Sequence, residues 1–145
     1  MRSWRNLFLV ALAFGLPACS SFEHDWRQAG SADSKFAGRW HGRWTSAKHR
    51  NSGGDLRCIL TPTGTNQYQA YFKAHWLLFS GTYRVPLKGR EHGGTLFFAG
   101  THTLPAVYGG VYRFEGSATR KQFSSTYDSS YDRGRFEMDR VGPPF

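Results

Sequence analysis

From residue 36 onward the chain alternates polar and apolar positions in short runs cut by Gly, Asn, Pro or Asp. The first run, Gly38 to Ser46, puts Trp40, Gly42 and Trp44 on one face and Arg39, His41 and Arg43 on the other. After the turn Asn51-Ser52-Gly53-Gly54, Leu56, Cys58 and Leu60 alternate with Arg57, Ile59 and Thr61. Tyr68 to Trp76 sets Tyr68, Ala70, Phe72, Ala74 and Trp76 against Gln69, Tyr71, Lys73 and His75. Gly81 to Lys88 follows with Tyr83, Val85 and Leu87 on one side, and Pro86 predicts an edge or a bulge there. Gly89 to Gly94 is expected to be a loop, Thr95 to Thr101 a fifth run, and residues 102–110 the longest connection of the second half. Three more runs, Val111 to Ala118, Lys121 to Tyr127 and Gly134 to Val141, complete the series. No stretch beyond residue 19 presents the 3.6-residue period of an amphipathic helix.

About eight short strands with short links must be antiparallel neighbours, because a parallel crossover needs roughly a dozen residues. The pattern therefore predicts an all-β fold, a single antiparallel up-and-down barrel whose closure removes the sheet edges. A two-sheet β-sandwich is the alternative. The predicted interior comprises Trp40, Trp44, Leu56, Leu60, Tyr68, Phe72, Trp76, Tyr83, Leu87, Phe98, Tyr112, Phe114, Phe123, Phe136 and Met138. Gly42, Ala70, Ala74 and Gly116 lie among them. These side chains either fill the barrel or leave an apolar cavity where the small residues make room. In the second case Trp44, Tyr68, Phe72, Trp76, Tyr83, Phe98, Tyr112, Phe114 and Phe123 are the ligand-lining residues, with Tyr68, Tyr83 and Tyr112 as polar handles.

The N-terminal segment has a different pattern. Arg2 and Arg5 precede the apolar run Leu7 to Leu16, whose ten residues are too few to cross a bilayer core of ~30 Å as a helix. That length suits the core of a secretory signal. Leu16-Pro17-Ala18-Cys19 then resembles a bacterial lipobox, with Pro17 as the departing position. The resemblance implies cleavage before Cys19, attachment of lipid (palmitate included) at that cysteine, and, because Ser20 follows, sorting to the outer membrane on its periplasmic side. An ordinary cleaved signal is the alternative, and it leaves Cys19 free to pair with Cys58. The expected organisation is a signal over 1–18, a lipid-attachment cysteine and flexible tether over 19–35, a barrel over 36–141, and a tail over 142–145.

Composition narrows the classes. With 39% hydrophobic residues, 12 Phe, 7 Tyr and 5 Trp, the chain is too apolar and aromatic for a disordered basic tail. Its 17 Gly suit turns between strands. Two cysteines exclude a disulfide-stapled miniprotein. The formal charge is +9, and the first 18 residues hold two arginines and no acid, so +7 stays with the remainder. Charged outward faces, and Pro143-Pro144 before Phe145, argue against a barrel that spans a membrane.

Gly38-x-Trp40 on the first strand resembles the opening motif of the lipocalin-like (calycin) barrels. In those barrels an Arg on the last strand packs across that Trp and closes the base, and the resemblance gives this role to Arg140. The acidic-aromatic turn between the sixth and seventh strands of larger lipocalins is not evident.

There is no Gly-x-Ser-x-Gly, and Cys58 between Leu56 and Leu60 reads as a buried structural thiol. The six histidines have no metal-ligand spacing. No catalytic residue, metal or cofactor is expected, and the chain reads as a non-enzymatic binding module. Arg39, Arg43, Arg57, Lys73 and Arg84 fall on the outward parity and predict a basic surface. Its expected partners are anionic envelope polymer or lipid headgroups, since nucleic acid does not suit an exported protein.

Overall fold

The computed structural model describes residues 21–29 and 35–142. The expected signal, Cys19 and residues 143–145 lie outside the described residues. Eight strands follow in order: β1 (Gly38–Ser46), β2 (Gly53–Gly64), β3 (Gln67–Trp76), β4 (Phe79–His92), β5 (Thr95–Thr103), β6 (Val111–Ala118), β7 (Gln122–Asp128) and β8 (Arg133–Val141). Each pairs antiparallel with the next, and β1 also pairs with β8, so the sheet closes into an up-and-down barrel rather than a two-sheet sandwich. In the closing seam Trp40 faces Arg140, Gly42 faces Met138 and Trp44 faces Phe136. A Cβ on Gly42 would lie 1.9 Å from the Glu137 carbonyl oxygen, so this close approach of β1 and β8 requires glycine.

Several strand limits differ from the sequence pattern by a residue or more: β2 takes in Gly53 and Gly54, β5 runs on to Thr103, and β4 departs furthest. Strand β4 runs on to His92, and only Gly93 and Gly94, at φ 59° and 80°, make the turn. Gly89 belongs in the strand because the Leu96 side chain occupies the space where its own would stand. At the other end, β4–β5 pairing runs from Leu87–Gly100 to His92–Thr95, so Phe79–Pro86 continues past it. Pro86 has no N–H to give a ladder, and pairing stops one residue beyond it.

The two ends of the barrel differ. Phe36, Trp40, Leu56, Leu60, Leu96 and Phe123 are buried and fill the base and middle. Cys58 is buried among them, and burial pushes its thiol well above the usual range, so it is a packed, inert group. The opposite end, which carries the connections 47–52, 77–78, 104–110 and 129–132, is open.

The expected flexible tether is corrected in part: residues 21–29 form a helix, α1, lying on the outer wall. Phe22 is 0% exposed, packing against Ile59 and Tyr71, with Trp26 and Ala29 against the same cluster. The Phe22 ring meets Tyr71 edge-on at 4.9 Å and stacks with Trp26 at 5.9 Å. Phe22, Trp26 and Ala29 stand four and three residues apart, which is one face of a helix. Two turns are too short a run for that period to stand out in the sequence. Burial of Phe22 contributes about 2 kcal/mol, which an isolated nine-residue helix could not supply for itself.

Candidate functional site

The open end holds a cavity of about 780 Å³. One wall is Trp44 and Ala74, the floor is Phe114 and Phe136, and the far side is Tyr112 and Tyr127. Tyr83 and His102 line it where β4 and β5 have separated, with their rings 5.6 Å apart. Val107 and Tyr108, on the short 3-10 turn Ala106–Tyr108, and Phe79 on the β3–β4 hairpin form its rim. The volume falls within the range of small-molecule sites, and the lining is mainly aromatic.

Ring stacking accounts for the depth at which the cavity stops. Phe72 stacks on Tyr83 at 5.2 Å and on Phe114 at 6.2 Å, and contacts Phe136 at 5.3 Å. Phe123 packs below, against Trp40 at 5.8 Å and Phe98 at 4.9 Å. The lower barrel is thus full, and only the upper part is hollow.

Polar groups are held at fixed places in the upper part. Trp44 donates its indole N–H to the His75 carbonyl at 2.9 Å, which fixes the ring as a wall. Tyr127 donates to Asp132 Oδ2 at 2.9 Å, and Ser46 donates to Oδ1 of the same carboxylate at 2.6 Å. Burial, then the Asp132 carboxylate, push the Tyr127 hydroxyl above the usual range, so it stays a neutral donor. Tyr112 donates to the Tyr108 carbonyl at 2.9 Å, tying β6 to the rim turn. Burial likewise raises Tyr83. Its hydroxyl has no hydrogen-bond partner among the described residues, which leaves it available to a bound molecule.

The nine predicted ligand-lining residues divide. Trp44, Trp76, Tyr83, Tyr112 and Phe114 line this cavity. Trp76 is corrected from the interior to the rim: it is 41% exposed, with its ring 6.0 Å from Trp44, because the β3–β4 hairpin reaches past the barrel. Phe72, Phe98 and Phe123 are buried in the packed core and do not line the cavity. Tyr68 faces another groove, of about 800 Å³, beside Pro86, Leu87 and Gly100 where β4 and β5 part. His102 and Asp132 went unrecognised in the sequence, because the sequence pattern ends the fifth run at Thr101 and the turn after Asp128 carries no alternation; Tyr127 shares the face of Phe123 on β7 and is not among the predicted lining residues.

The expected basic surface is also corrected. Arg57 and Lys73 are not a solvated face: α1 covers them, and Glu23 accepts hydrogen bonds from Arg57 at 2.5 Å and from Lys73 at 2.9 Å. Those bonds, Arg57 first and then Lys73, hold the Glu23 carboxyl down at about 2. Arg39 lies over the Trp26 ring at 5.5 Å, and Arg84 lies over Tyr71 at 3.7 Å with Asp25 at 3.9 Å. Arg43 alone of the five stays clear of α1, exposed between Asp55 and Glu137 in register. At the base, Arg140 lies over the Trp40 ring at 5.2 Å, as the opening-motif resemblance implies. Among the described residues no group of three or more His, Cys, Asp or Glu could hold a metal ion. No protein-family profile, no curated protein and no solved structure matches the chain.

Proposed function

We propose that this is a non-enzymatic binding protein of the bacterial cell envelope, built on a lipocalin-like barrel, that holds an apolar small molecule in its mouth cavity. The single observation that carries this reading is the aromatic cavity of about 780 Å³ above a barrel that is otherwise filled. A domain of this size has no packing need for a hollow, and an empty apolar cavity forfeits contacts its walls would otherwise make. The Tyr83 hydroxyl, without a hydrogen-bond partner among the described residues, can orient the ligand, so a mostly apolar molecule with one acceptor fits best.

The envelope address rests on the run Leu7 to Leu16 and on Leu16-Pro17-Ala18-Cys19, and we take Cys19 as the lipid-attachment residue on the outer membrane. Lipocalin-like kinship is supported by Gly38-x-Trp40 and by Arg140 over the Trp40 ring.

Organic extraction of the purified protein followed by mass spectrometry tests the ligand. A stoichiometric apolar compound is expected, and an apolar fluorescent probe should bind once it is removed. A protein that is empty as isolated and binds no such probe overturns the reading. For the anchor, mass spectrometry of the mature N-terminal peptide should show acyl chains on Cys19 that the Cys19→Ser protein lacks, and a Cys19 without acyl chains overturns that part alone.

A further inference from the structure

The apolar side chains of the open end are not confined to the cavity. Leu77 and Leu78, at the tip of the β3–β4 hairpin, are 101% and 95% exposed, and Phe79 beside them is 75% exposed. Across the mouth Val107, Tyr108 and Tyr131 are also exposed. Leu77 stands at φ 48°, a backbone region that glycine or asparagine ordinarily fills in a two-residue hairpin turn. An apolar residue thus occupies a position that disfavours it both by conformation and by solvent. Folding does not explain that choice.

The same end is basic. Lys48, His49 and Arg50 are exposed on the β1–β2 connection, and Lys48 donates to the Tyr131 carbonyl at 3.1 Å, which places this loop on the apolar rim. Trp44 and Trp76, in ring contact, join the loop's strand to the leucine tip. Four basic residues at this end, Lys48, Arg50, Arg113 and Arg133, outnumber Asp128 and Asp132: Asp128 is opposite both Arg113 and Arg133 in register, and Asp132 accepts from the Tyr127 and Ser46 hydroxyls.

We propose that the mouth docks on an anionic lipid surface, with Leu77, Leu78 and Phe79 entering the acyl boundary, Trp76 at the headgroup level, and Lys48 and Arg50 on the phosphates. A narrow projecting tip enters a fluid phase readily, whereas a stable protein interface needs a broad complementary face. A second copy of the chain would bring the same cations together. Lipid satisfies both features, apolar below and anionic at the surface. The cavity opens between these groups, so docking would place its entrance against the bilayer. Transfer of ligand across that entrance rests on the ligand reading above, whereas the docking itself does not.

The test uses the chain from Ser20 onward, which contains every described residue and carries no lipid. Flotation with phosphatidylcholine vesicles containing roughly a quarter phosphatidylglycerol should recover it, and pure phosphatidylcholine should bind it about tenfold less. Leu77→Gly with Leu78→Ser, which suits the turn and keeps the hairpin, should lower binding by about tenfold or more. Lys48→Gln with Arg50→Gln should abolish the preference for anionic vesicles, and so should about 0.5 M salt. A tip variant that floats like the unaltered chain overturns the proposal. So does an unaltered chain that ignores vesicles, or one that self-associates through the leucines instead. Vesicle binding by a protein found empty of ligand supports the docking and counts only against the ligand reading.

Discussion

Arg140 on β8 lies over the Trp40 ring on β1, its guanidinium carbon 5.2 Å from the ring centroid, while Trp40 donates its indole N–H to the Phe36 carbonyl at 3.1 Å. Arg140 also donates to the Lys35 carbonyl at 2.5 Å and to the Ala37 carbonyl. One cation therefore ties the last strand to the first and to the segment entering it. Partial burial lowers its pKa, yet a guanidinium remains charged at any ordinary pH. Trp40→Ala should cost about 3–5 kcal/mol and Arg140→Ala about 1–2 kcal/mol. In urea unfolding the double variant should cost less than the two added together, by about 0.5 kcal/mol or more. Strict additivity would mean that the stack contributes nothing.

Glu23 makes the docking of α1 sensitive to acid. Its carboxyl is held at about 2 in the folded protein, below the usual 4.5, by hydrogen bonds from Arg57 and then Lys73. A depressed carboxylate stabilises above its unfolded pKa, and that contribution fades as the pH falls from about 4.5 to about 2. The side chain is 38% exposed, so solvent screening limits the effect to about 1 kcal/mol. Glu23→Gln should lower stability by that amount at pH 7 and by almost nothing at pH 2, measured by denaturant unfolding at the two pH values.

Phe22→Ala should release α1 without opening the barrel. The ring is buried on the outer wall, apart from the interior core. A loss of about 2–3 kcal/mol in the docking of the helix is expected. Hydrogen exchange should show amides 21–29 losing protection while the β1–β8 seam keeps it. Uniform loss across both would show that helix and barrel unfold as one unit.

Tyr83→Phe separates binding from folding. The hydroxyl has no partner among the described residues, so its removal should leave stability within about 0.5 kcal/mol of the unaltered protein. Affinity for a ligand that accepts its hydrogen bond should fall by about 1 kcal/mol, roughly fivefold, in a titration of the stripped protein. An unchanged affinity would remove Tyr83 from the site.

Leu77→Gly alone should stabilise the hairpin. Relief of a left-handed backbone at a side-chain-bearing residue contributes about 1 kcal/mol, and the exposed leucine loses no packing. Thermal unfolding should show a midpoint higher by a few degrees.

Strand parity sufficed for an antiparallel all-β fold, for β1 and β6 at their observed limits, and for the burial of Trp40, Leu56, Phe72 and Phe123, whereas the β1–β8 pairing decided for the barrel over the sandwich. Alternation is a local property, and antiparallel neighbours joined by short links leave little freedom in topology. Three features are not local. Phe22 became core only because β2 and β3 turned Ile59 and Tyr71 outward to receive it, which also converted Arg57 and Lys73 from a basic surface into partners of Glu23. The cavity exists because β4 and β5 part at Pro86 while the rings around Phe72 fill everything below, and no single strand records how the others' side chains divide that volume. Which aromatics line it was therefore decided by the heights at which eight strands stagger, just as Trp76 reached the rim through the length of its hairpin. Alternation along the chain was enough to say which way most side chains point from their strands. Only the closed barrel decided how far each one stands from the open end, because that height is set by register between strands and not within them.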